Sequence, residues 1–113
     1  MRTNTSSLDV GRLVPAQALY RASLTMHPTA FAHAGMAALL HRSHQLQEAS
    51  QHYAEATRLN SSFTECYSNL GHVLRDMGNL AGARSAFQNA VRLNPTNADD
   101  HNNLACVCKD LGA

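Results

Sequence analysis

Tryptophan is absent from this chain, and only three Phe and three Tyr stand among its 113 residues. A core of large aromatic plates is therefore excluded, and small and aliphatic side chains must fill the interior. Charged residues are also scarce, at 15%, against about a quarter in an ordinary globular chain. With a net charge of +1, no basic stripe of the kind that grips nucleic acid is visible. No run of 18 apolar residues occurs, which excludes a membrane-spanning helix. The N-terminal "MRTNTSSLDVGRL" has no apolar core and so is not a secretory signal. Three prolines and many alanines favour helix over strand. The three cysteines, Cys66, Cys106 and Cys108, are odd in number and lack CxxC spacing. That excludes a disulfide framework and points to an intracellular chain, cytoplasmic or nuclear, with reduced thiols. At this length one domain is the upper bound.

What the chain does contain is a repeat. Sliding the sequence by 34 residues places Ala49 on Ala83, Tyr53 on Phe87, Ala56 on Ala90, Leu59 on Leu93 and Asn60 on Asn94. Met36 falls on Leu70 and then Leu104, and Ala37 on Gly71 and then Ala105. Within a period the pattern predicts two helices. In the central one the first runs over Thr64–Met77, with apolar residues at Tyr67, Leu70, Val73, Leu74 and Met77, and Gly78-Asn79 stops it. The second runs over Leu80–Arg92 and ends at Leu93-Asn94-Pro95-Thr96. Short connections make the pair antiparallel.

Gly71 is the anomaly in this pattern, because a glycine inside a helix costs about 1 kcal/mol against alanine. Its equivalents are Ala37 and Ala105, so the position requires a small residue. The expectation is that Gly71 faces Ala83 and Ala90, and that three small residues let two helix backbones approach closely, with the larger side chains packed around that contact.

Tyr67-x2-Leu70-Gly71-x2-Leu74, then Ala83-x3-Phe87, then Pro95, resembles the tetratricopeptide repeat, whose pattern has Trp and Tyr where this chain has Tyr67 and Leu74. The resemblance implies an all-α, right-handed solenoid of antiparallel helix pairs, about six helices, with incomplete repeats at both ends. Residues 1–10 are expected to form a polar, poorly ordered segment and 11–29 the second helix of a partial repeat. Full repeats occupy 30–63 and 64–97, and 98–113 is a first helix without its partner. Leu104, Val107, Cys108 and Leu111 are then expected to lack cover. Self-association or array extension through the open helical ends follows as an expectation, with Cys108 as a small buried hydrophobe.

In such a stack the first helices line the concave face. The resemblance therefore puts partner binding on Glu65, Ser68, Asn69, His72, Arg75 and Asp76, and on Asp99, Asn102, Asn103, Cys106 and Lys109. Phe31, Ala34, Gly35, Ala38 and Arg42 form a blander earlier row. This lining is amide-rich and suits a peptide backbone, since Asn offers both donor and acceptor. The segment "NPTNADDHNNLA" also resembles the repeats of O-linked N-acetylglucosamine transferases, where a ladder of asparagines grips substrate backbone. Asn69 and Asn103 match two rungs, and Gly35 breaks the ladder. The carboxylate clamp of tetratricopeptide co-chaperones is not matched: Ala34, Ala38 and Asp99 stand where basic residues are needed.

The expected function is a protein-interaction module, with a substrate-recruiting fragment of a transferase of that type as the alternative. No catalytic constellation, phosphate-binding loop or cofactor motif is present. His41, His44 and His52 lack zinc-type ligand spacing, although His41 and His44 could share a helix face. Asp99-Asp100 reads as negative charge suited to a helix N-terminus.

Overall fold

The computed structural model describes residues 29–112. The segment 1–10 and the expected helix of 11–29, apart from Thr29, lie outside the described residues. Among the described residues five helices follow one another: α1 (Ala30–Arg42), α2 (Leu46–Leu59), α3 (Thr64–Asp76), α4 (Leu80–Leu93) and α5 (Ala98–Asp110). Among the described residues there is no strand. Each helix packs chiefly on its neighbours in sequence, the one-dimensional arrangement of a solenoid.

Local chemistry sets the boundaries. Thr29 caps α1 by accepting from the Ala32 N–H at 3.1 Å. Asn79 caps α4 through the Gly82 N–H at 3.0 Å, and Asn97 caps α5 through the Asp100 N–H at 3.2 Å. The C-terminal stops recur with the period. Gly78 has φ +83°; its N–H donates to the Arg75 carbonyl at 2.9 Å, and that of Asn79 to Leu74 at 2.8 Å. This pairing is a Schellman motif, and it ends α3 at Asp76, one residue before the expected Met77. Gly112 repeats the left-handed turn at φ +79°.

In the earlier repeat the left-handed place belongs to His44, at φ 64°, with the same pair of bonds to His41 and Leu40. His44 is thus in a turn beyond the helix, and it does not share a helical face with His41.

Two apolar clusters bind the layers. Met36, Ala37 and Leu40 of α1, Ala49, Tyr53 and Ala56 of α2, and Cys66 and Val73 of α3 form the first. Ala83 and Phe87 of α4 with Val107 of α5 form the second, flanked by Leu74, Leu80 and Leu104. Val107 is fully buried and Leu104 packs beside it, so the expectation that both lack cover is corrected: α4 covers that face of α5. Cys108 is only half-buried, and the buried thiol is instead Cys66. Ala105 and Leu111 are exposed.

The account of Gly71 also changes. A Cβ built there would stand 2.7 Å from both Cε1 and Cζ of Phe87. The missing side chain makes room for an aromatic ring rather than for a contact between small residues. Phe87 is fully buried, and its ring takes the volume that a Cβ on α3 would need.

Candidate functional site

Between the first halves of α3 and α5 lies a groove of about 420 Å³, lined by Thr64, Glu65, Ser68, His72, Asn94, Asn97, Asp99, Asp100 and Asn103. Helical spacing explains how it forms. Glu65, Ser68 and His72 follow each other at three- and four-residue steps along α3, and Asp99 and Asn103 do the same on α5. The turn after α4 contributes Asn94 and Asn97.

Polar contacts cross the groove. The Ser68 hydroxyl donates to Asp100 Oδ1 at 2.5 Å. The Asn103 side-chain amide nitrogen lies 3.4 Å from His72 Nε2. The His72 ring meets Phe87 edge to face, with centroids 5.3 Å apart. The same Phe87 that fills the space over Gly71 therefore also orients a groove side chain. Asp100 is 3% exposed, and its Oδ2 has no hydrogen-bond partner.

Behind the groove, burial pushes the Cys66 thiol up to about 12, with the charge of Glu65 adding to it. Tyr53 is likewise raised to about 12, first by burial and then by Cys66 and Glu65. Both groups stay neutral parts of the core.

Of the residues expected on the concave face, the groove gathers Glu65, Ser68, His72, Asp99 and Asn103. Asn69 is half-buried outside it. Arg75 and Asp110 pair with each other at 3.5 Å further along α3 and α5. Asp76 meets His41 of α1 at 3.0 Å. Asn102, Cys106 and Lys109 are exposed beyond the lining.

Sequence reasoning missed Asp100, which it treated as a helix-terminal charge. A signal was present, because the 34-residue register sets Asp100 on Cys66 and Ala32. Both of those are buried, so a carboxylate at that place breaks an apolar position. Asn94 and Asn97 were missed because they belong to the turn and not to a helix face. Among the described residues no group of three or more His, Cys, Asp or Glu side chains is placed to hold a metal ion, and no helix is long and apolar enough to cross a membrane.

The family model of the tetratricopeptide repeat matches residues 64–97, which are α3, α4 and the turn that carries Asn94 and Asn97 into the groove. The fold of the chain is that of tetratricopeptide domains. The first such domain of Spaghetti (RPAP3), solved with the HSP90 peptide SRMEEVD, has a TM-score of 0.84 at 21% identity over 96% of this chain and 87% of that one. The second domain of human RPAP3, in complex with the HSP70 peptide SGPTIEEVD, gives 0.79 at 19% identity over 91% of this chain and 87% of that one. The Sgt2 domain from Aspergillus fumigatus gives 0.81 at 19% identity, covering 96% and 74% respectively. At such identities the likeness shows the fold. No curated protein matches the sequence.

Proposed function

We propose that this tetratricopeptide chain is a protein-interaction module that holds an extended segment of a partner protein in the groove between α3 and α5, with no catalysis of its own. The observation that carries the reading is the groove itself. It is open to solvent, built from two successive first helices and lined almost wholly by hydrogen-bonding groups. Amide and hydroxyl side chains at helical spacing can pair with the N–H and C=O groups of an extended backbone. Two of the similar structures hold peptides, which supports the same use of the fold. Those peptides are acidic, whereas this lining carries Glu65, Asp99 and Asp100 and no Lys or Arg. The partner of this chain is therefore of a different chemistry.

The transferase-fragment alternative rests on Asn69 and Asn103 as ladder rungs. Only Asn103 lines the groove, so the geometry favours the general interaction module.

The test is binding of the purified chain to an immobilised peptide array. Glu65→Ala combined with Asn103→Ala removes groove contacts, and Ser85→Ala combined with Gln88→Ala alters exposed positions of α4. Binding is expected to fall in the first variant and persist in the second. The reverse pattern would move the interface off the groove and overturn the reading.

A further inference from the structure

We infer that the groove between α3 and α5 selects a partner segment through a cationic side chain, guanidinium or ammonium, received by Asp100. The inference rests on the interaction-module reading and specifies its ligand.

Three observations converge. First, Asp100 occupies a place where the two preceding repeats hold the buried residues Ala32 and Cys66, so a carboxylate there is not required by the packing of the stack. Second, this carboxylate is 3% exposed and only half satisfied. Ser68 Oγ donates to Oδ1 at 2.5 Å, and Oδ2 has no partner. A buried acceptor without a donor is unfavourable, and a ligand that supplies an N–H removes that cost. Third, the groove above it is acidic although the chain as a whole carries a net charge of +1. Glu65 and Asp99 flank Asp100, and no Lys or Arg shares the lining.

An arginine or lysine suits the shape as well as the charge. Its slender stem can reach a carboxylate set in the wall while the peptide backbone stays at the rim with Asn103. Asp100 stands among the lining residues, and the 420 Å³ volume leaves space for waters, each filling about 30 Å³ in the liquid. A peptide carboxylate entering the same groove would meet three acids and no cation.

The experiment uses fluorescence anisotropy with four labelled peptides of one length and one Gly/Ser background, differing only in a central residue: Arg, Lys, Gln or Glu. The wild-type chain is expected to bind the Arg and Lys peptides over the Gln peptide, and the Glu peptide least, with affinity falling as salt rises. Asp100→Asn should weaken the cationic peptides at least about tenfold, the effect of one lost charge-assisted hydrogen bond, and leave the Gln peptide unchanged. Ser68→Ala should keep the cation preference, because it frees Oδ1 without removing the charge. Asp100→Ala restores the residue type of Ala32 and serves as the folded control if the Asn variant melts early.

Equal binding of all four peptides, or a cation preference that survives Asp100→Asn, overturns this inference and leaves the module reading standing. No binding of any peptide, here and on the array, overturns both.

Discussion

Replacing Gly71 with alanine separates two opposed effects, and the geometry decides between them. On helix propensity alone, the change should stabilise α3 by about 1 kcal/mol. The structure places the new Cβ 2.7 Å from Cε1 and Cζ and 2.9 Å from Cδ1 of Phe87. That ring is fully buried between α3, α4 and α5, so it cannot swing aside into solvent. Overpacking of this kind costs about 1–3 kcal/mol. The earlier repeat has Ala37 opposite Tyr53 at the corresponding places, so the fold can accept a Cβ there if the helices separate slightly. The net expectation is a loss of about 1 kcal/mol, from a cost near 2 offset by the propensity gain. In a domain of this size that lowers Tm by roughly 4–6 °C. The assay is urea and thermal unfolding of wild type, Gly71→Ala, Phe87→Leu and the double variant. The smaller leucine should be tolerated better in the Gly71→Ala background than beside the native glycine, giving a coupling of about 0.5–1 kcal/mol. A Gly71→Ala chain as stable as wild type or more so, with no coupling to residue 87, would refute the packing account.

The same packing sets further outcomes. His44→Gly should stabilise by about 0.5–1 kcal/mol, because His44 sits at positive φ and the strain removed exceeds the added freedom of the unfolded glycine; thermal unfolding reads it directly. Alkaline titration should leave stability level up to about pH 9 and lower it progressively towards pH 12. Cys66 and Tyr53 ionise from 9.0 and 10.0 in the unfolded chain but only at about 12 when folded, so in that window the unfolded state loses protons that the folded state keeps. Cys66→Ala should lessen the decline. Native thiol labelling should modify exposed Cys106 well before buried Cys66, as followed by mass spectrometry. In hydrogen exchange the amides of α5 should open before those of α3, since α3 packs between α2 and α4 whereas α5 packs chiefly on α4.

The helical stack was legible because its signal is redundant: Ala49, Ala83, Tyr53 and Phe87 repeat at one spacing, and the turn chemistry at Gly78 agrees with it. The burial of Gly71 was legible, but its contact was not. Periodicity says that a position must be small, yet not whether a backbone or a ring fills the space above it. Val107 and Leu104 were misjudged because a helix at the end of a stack can still bury one face against the helix before it. The groove was half legible. Glu65, Ser68, His72, Asp99 and Asn103 were expected on one face through the resemblance to the tetratricopeptide repeat, whereas Asn94 and Asn97 arrive from a turn whose path no helical pattern describes. Asp100 was overlooked because a helix-terminal acid is ordinary, while its register with the buried Ala32 and Cys66 is what sets it apart.

The most direct test of the central claim is an amide NMR titration of the isotope-labelled chain with the arginine peptide. Shifts confined to Glu65, Ser68, His72, Asn97, Asp100 and Asn103 are the predicted result. Shifts centred on the exposed α4 positions Ser85 and Gln88, with the groove residues unmoved, would contradict it.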